Sequence, residues 1–219
     1  MASHLLSPDT QAVLLLCGSL GKRREGRANP LTTAEYSRLA QWLHHQGLRP
    51  GDLLSEGALE NGVEPPIDRQ RVTALLERGA ALALEVERWT NRGLWVLSRG
   101  DEGYPRALKS RLGKLAPPLL YGAGKPELLG NGGLAVVGSR DADAGAERFA
   151  QAAGAAAARQ NVPIVSGAAR GVDSFAMSAA LDAGGRVVGI LTEGLDRAAT
   201  PSCRPSAETP RPSAAVGRS

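Results

Sequence analysis

Two stretches of this chain repeat one design: an apolar run, then a glycine-bearing loop, then a helical stretch. The first is Leu134-Ala135-Val136-Val137, which leads into Gly138-Ser139-Arg140 and an alanine-rich segment from Ala144 to Arg159. The second is Val162-Pro163-Ile164-Val165, which leads into Ser166-Gly167-Ala168-Ala169-Arg170-Gly171 and a helical pattern from Val172 to Ala183. A third apolar run follows at Arg186–Leu191. Continuous apolar runs separated by helical stretches indicate parallel strands buried on both faces. The predicted class is therefore a doubly wound α/β sheet.

The front of the chain has another rhythm. Ser7-Pro8-Asp9 is a helix start: a capping hydroxyl, proline at the first helical position, and an acid near the positive end. Val13, Leu14, Leu16 and Cys17 follow, and Gly18 offers a stop. Thr32-x-x-Glu35 is a capping box; Tyr36, Leu39, Ala40 and Leu43 follow at helical spacing up to Gly47. Further helices are expected from Asp68 to Gly79 and from Ala80 to Trp89. Short apolar runs at Leu94–Leu97 and Pro118–Tyr121 begin the β-rich part. The expected organisation is a helical domain over 1–92, a sheet domain over 93–195, and a tail over 196–219. That tail is rich in Ala, Pro, Ser, Arg and Thr, and reads as disordered.

Composition mainly excludes. Lys and Arg number 26 against 22 acids, a net charge of +4 that permits a polyanionic partner without requiring one. Cys17 and Cys203 form no disulfide framework or metal motif. His44 and His45 are adjacent, about 100° apart on a helix, and so share no metal easily. The apolar stretch Ala12–Cys17 is followed, not preceded, by Lys22, Arg23 and Arg24, the wrong charge order for a signal peptide. No apolar run approaches the roughly 20 residues that span a membrane. The reading is a soluble, cytoplasmic protein without membrane association.

Both glycine loops lie at the carboxyl ends of predicted parallel strands, where ligands of such sheets bind. Glycine lets backbone approach a ligand, and the following helix start offers N–H groups to phosphate. Each loop adds a hydroxyl, Ser139 or Ser166, and a guanidinium, Arg140 or Arg170. That combination suits a phosphodiester backbone. Asp173 serves equally as a helix cap or as a ligand contact. Other chemistries find no motif. Gly138-Ser139-Arg140-Asp141-Ala142-Asp143 is not the G-x-G-x-x-G of dinucleotide sites, and Gly122-Ala123-Gly124-Lys125-Pro126 lacks phosphate-loop spacing. A nucleophile elbow, zinc spacing and paired loop acids are all missing, and Glu193 is the one loop acid worth watching. No cofactor is expected.

The sequence Val136-Val137-Gly138-Ser139-Arg140, then Val165-Ser166-Gly167-Ala168-Ala169-Arg170-Gly171-Val172-Asp173-Ser174, then Ala179–Leu191, resembles the DprA/Smf family. Upstream, Asp101–Leu108 resembles that family's "D…YP..L" segment and Pro117–Gly122 its "PP.LY.G" strand. The resemblance spans about Leu94 to Leu195. It implies a Rossmann-like fold preceded by a small helical, SAM-like domain. It also implies single-stranded DNA binding without catalysis, and delivery of that DNA to a RecA-type recombinase in natural transformation. Self-association as a homodimer is left open. By resemblance, Gly138, Ser139 and Arg140 match one DNA-binding loop, and Ser166, Gly167, Arg170, Gly171 and Asp173 match the other. Met177 stands where many members carry histidine and reads as core packing. The family's domain continues past the third strand, so the sheet is expected to be C-terminally incomplete, as in a truncated or frame-shifted product. One strand would then lack its neighbour and expose an edge. The alternative is a nucleotide-processing enzyme of the lysine decarboxylase-like phosphoribohydrolase group, whose Pro-Gly-Gly-x-Gly-Thr loop this chain does not contain.

Overall fold

The computed structural model describes residues 6–21, 28–59, 64–191, 195 and 214–217. The Lys22-Arg23-Arg24 cluster, His4, Glu193 and Cys203 lie outside the described residues. The chain forms two compact units. One comprises Met1–Arg92 with Val96–Leu120, and the other Gly93–Trp95 with Tyr121–Arg218.

The first unit is built from helices α1 (Pro8–Cys17), α2 (Thr33–His45), α3 (Arg69–Leu76) and α4 (Gly79–Asn91), with α5 (Arg106–Leu112) further on. Their starts follow the sequence signals. Ser7 Oγ accepts from the Thr10 amide, and Asp68 accepts from the Gln70 and Arg71 amides. Thr32 and Glu35 close a reciprocal capping box. Leu14, Leu16, Leu39, Leu43 and Leu75 are fully buried and form the core.

The expected boundary at residues 92 and 93 is corrected: Val96–Leu120 belongs with the helical front. A polar network explains the shift. Thr10 Oγ1 donates to the Asp101 carboxylate at 2.7 and 2.8 Å and shares a hydrogen bond with Ser98 Oγ at 3.0 Å. The Ser98 amide donates to the same carboxylate at 2.7 Å. Ser37 Oγ donates to the Lys114 carbonyl at 2.7 Å. Thr10, Ser37 and Ser98 are buried, and leaving any of their polar groups without a partner would cost about 1–3 kcal/mol. Hydrophobic patterning does not register such a tie.

The sheet contains β1 (Leu94–Ser98), β2 (Leu119–Gly124), β3 (Leu134–Ala135), β4 (Ile164–Ser166), β5 (Val187–Leu191) and β6 (Ala214–Gly217), in the order β1-β2-β6-β5-β4-β3. Strands β3, β4, β5 and β6 run parallel, and β6 pairs antiparallel with β2. Helix α6 (Ala144–Arg159) links β3 to β4, and α7 (Val172–Asp182) links β4 to β5. Successive right-handed crossovers put both helices on one face, where they pack together. A Cβ on Gly154 of α6 would lie 2.2 Å from the Ala176 carbonyl of α7, so only glycine permits this approach.

Side chains alternate across the strands. Ile164 and Val187 meet Ala157 and Ala180 on the helical face, with Met177 packed against them as expected. Val188 meets Leu128 on the other face, with Leu129 and Val165 beside it. Among the described residues, that second face carries a short 3-10 turn, Pro126–Gly130. Two further expectations are corrected. Strand β3 is not buried on both faces: Leu134 is 43% exposed and Val137 beyond it 84%. It is the outermost strand, paired on one side by β4. Strand β5 does not lose its neighbour, because Ala214–Gly217 from the expected disordered tail pairs beside it. The composition of this segment lacks the large apolar residues that signal a strand.

Candidate nucleic-acid interface

The site is built on the carboxyl ends of β3 and β4 in the second unit. The loop Gly138–Arg140 leaves β3, and the loop Gly167–Gly171 leaves β4 and enters α7. Asp173, in the first turn of α7, is buried. Its carboxylate accepts from the Gly138 amide at 3.2 Å and from the Gly167 amide at 3.1 Å. One side chain therefore holds both loops. The Val172 amide adds a third tie, donating to the Ser139 carbonyl at 3.1 Å.

Two glycines make this closeness possible. A Cβ on Gly171 would lie 2.2 Å from the Ser139 carbonyl oxygen, and its φ of 91° is a conformation that glycine favours. A Cβ on Gly138 would lie 2.6 Å from Val172 Cβ. The loops are thus adjacent.

The expected donors divide into two sets. The amides of Gly138 and Gly167 are committed to Asp173, so they are not free for a phosphate. Asp173 itself positions the loops from inside. Ser166 is buried at the end of β4, and its hydroxyl finds no hydrogen-bond partner among the described residues. Ser139 is exposed but engaged locally: its Oγ accepts from the Asp141 amide and donates to the Asp141 carbonyl, both at 3.1 Å. The two guanidinium groups remain outside. Arg140 is exposed and makes no hydrogen bond or ion pair among the described residues. Arg170 is also exposed and pairs with the carboxylate of Asp141.

Two features were not singled out from the sequence. Asp141 is one; its signal is an acid two residues after a loop serine, a common local turn pattern. Ala168 is the other, with a φ of 55° in the left-handed region that side chains avoid. Strain of this kind collects at ligand-binding turns, but an alanine in sequence gives no sign of it. Among the described residues, no cluster of three or more metal-ligating side chains occurs and no helix is long and apolar enough to cross a membrane.

No curated protein sequence matches the chain. Among solved structures, it is similar to DNA processing protein A (DprA) from Streptococcus pneumoniae, with a TM-score of 0.58 and 19% identity over 97% of this chain and 67% of that one. That likeness is one of fold. The DNA processing protein A of Helicobacter pylori, described for its single-stranded DNA binding mode, matches with a TM-score of 0.42 and 19% identity over 57% of this chain and 54% of that one. The family model for DNA recombination-mediator protein A matches residues 95–209, more than half of the chain and both glycine loops. The chain belongs to the DNA recombination-mediator protein A family.

Proposed function

We propose that this chain binds single-stranded DNA through Arg140 and Arg170 and passes it to a RecA-type recombinase in the cytoplasm, without catalysing a reaction itself. Family membership supports a role in DNA processing. The observation that carries the reading is the pair of exposed guanidinium groups on two loops joined by the buried carboxylate of Asp173. A guanidinium fork matches two phosphate oxygens, and two forks on linked loops suit successive phosphates of one strand. The Gly138 and Gly167 amides are engaged and the Ser166 hydroxyl is enclosed, so the grip assigned to these loops is mainly ionic. Such binding weakens steeply with salt and tolerates any base sequence. The family match also favours this reading over the phosphoribohydrolase alternative.

Gel-shift titration of a labelled oligothymidylate tests the binding step. Arg140→Ala is expected to weaken binding roughly tenfold or more, the cost of one charge-assisted contact. Unchanged binding in both Arg140→Ala and Arg170→Ala would remove these loops from the interface. Delivery is tested by recombinase strand exchange on DNA coated with a single-strand-binding protein. Acceleration by the wild type, lost in the double arginine variant, is the expected result.

A further inference from the structure

The loops carry an acid that the DNA-binding reading leaves unused. Asp141 follows Arg140 directly, and its backbone is fixed by the two hydrogen bonds with Ser139 Oγ. Its side chain reaches across to the second loop and pairs with Arg170. Neighbouring carboxylates are committed elsewhere: Asp143 caps α6 at the Ala146 amide, at 2.8 Å, and Asp173 holds the glycine amides. The Arg170–Asp141 pair stands open, with side chains 77% and 85% exposed.

We infer that Asp141 is a stand-in for a DNA phosphate, holding Arg170 in the free protein and giving it up when a phosphodiester arrives. The inference rests on the DNA-binding reading above. A carboxylate offers a guanidinium the same two-oxygen edge that a phosphate does. The pair is solvated on both sides, and exchange costs little, since exposed ion pairs contribute only about 0–1 kcal/mol. Once displaced, the carboxylate lies beside a polyanion and gathers a cation of its own. Part of the counterion release that drives binding is thereby cancelled. Asp141 therefore lowers both the affinity and the salt dependence that Arg170 would otherwise give.

The experiment uses the full chain and fluorescence anisotropy with a labelled oligothymidylate over a range of sodium chloride. Wild type, Asp141→Asn, Arg170→Ala and the double variant are compared, with Arg140→Ala as reference. Asparagine leaves the backbone bonds to Ser139 in place, and a thermal melt checks that each variant folds. Asp141→Asn is expected to bind up to about fivefold tighter. Its plot of log affinity against log salt should be steeper by about 0.7, one single-strand phosphate contact. In the Arg170→Ala background the same substitution should change affinity less than about twofold, because the partner is gone. Equal tightening in both backgrounds would overturn the inference, showing only general repulsion of DNA by an acid. So would unchanged or weaker binding by folded Asp141→Asn while Arg140→Ala still weakens; that result would leave the DNA-binding reading standing. No binding by either wild type or Asp141→Asn at low salt would overturn both.

Discussion

Arg71, Arg78 and Arg99 in one unit and Arg140 and Arg170 in the other do different work, and that contrast supports the proposed site better than net charge does. In the helical front three of them, Arg71, Arg78 and Arg99, serve as structural ties. Arg71 donates to both carboxylate oxygens of Glu35 and to the carbonyls of Asn29 and Pro30. Arg99 reaches the Ser37 hydroxyl and the Ala116 carbonyl and lies 5.2 Å from the centre of the Tyr36 ring. Arg78 binds the carbonyls of Leu15 and Gly18 at the end of α1. In the sheet unit, Arg140 and Arg170 sit on loops and face solvent. Among the ion pairs, Arg71–Glu35 is 27% and 21% exposed and Arg170–Asp141 77% and 85%, while Arg49–Asp9 and Arg88–Glu85 of the front join exposed guanidinium groups to sheltered carboxylates. A guanidinium whose donors are largely bound within the fold holds that fold together; one left in water is available to a ligand.

Aspartates allow the sharpest test of this contrast, since Asp101 and Asp173 each join segments far apart in sequence. Alanine at either position strands amide or hydroxyl donors and is expected to cost about 3 kcal/mol in denaturant unfolding. Their functional effects should separate. Asp173→Ala should weaken single-stranded DNA binding by the folded protein about tenfold, because the loops lose their common tie. Asp101→Ala should leave it unchanged. Equal DNA affinity in the two variants would break the distinction between a structural tie and a site-positioning one.

A smaller effect is expected from the ion pair of the front unit. The hydrogen bond from Arg71, aided by the Thr32 amide, lowers the Glu35 carboxyl from its ordinary 4.5 to about 2. The folded value lies below the unfolded one, so this stabilisation is fully present above about pH 4.5 and is lost as pH falls towards 2. Arg71→Ala should cost about 1–2 kcal/mol at neutral pH and flatten that acid limb of the stability curve. An identical limb in Arg71→Ala and wild type would show that the Arg71–Glu35 pair contributes nothing to acid stability.

The smallest predicted change concerns the strained turn. Ala168→Gly relieves a left-handed conformation costing about 1–2 kcal/mol and adds unfolded-state freedom worth about 0.4–1 kcal/mol. A net gain of about 0.5 kcal/mol is expected in thermal unfolding, with DNA binding held by the remaining ties. Destabilisation would mean that the alanine methyl group contributes packing that outweighs its strain.

Much of this was legible in the sequence because the signals are local. Ser7, Thr32 and Asp68 mark their helices through short-range caps, and glycines after apolar runs mark both loops. What escaped is non-local. The attachment of Val96–Leu120 to the front depends on hydroxyls meeting a carboxylate some 90 positions away, which no periodicity records. Strand β6 follows a long stretch without pattern, and its four small residues gain their place only by pairing with β2 and β5. Within the site, residue types alone suggested outward amides at Gly138 and Gly167. The fold turns them onto Asp173 and leaves the guanidinium groups outside.

In the proposed function, Arg140 and Arg170 together grip a single phosphodiester strand. The most direct test is the salt dependence of oligothymidylate binding by wild type and the Arg140→Ala/Arg170→Ala double variant. Two lost phosphate contacts, less the contact that Asp141 offsets at Arg170, should flatten the log–log slope by about 0.7. Identical slopes with intact folding would contradict the account.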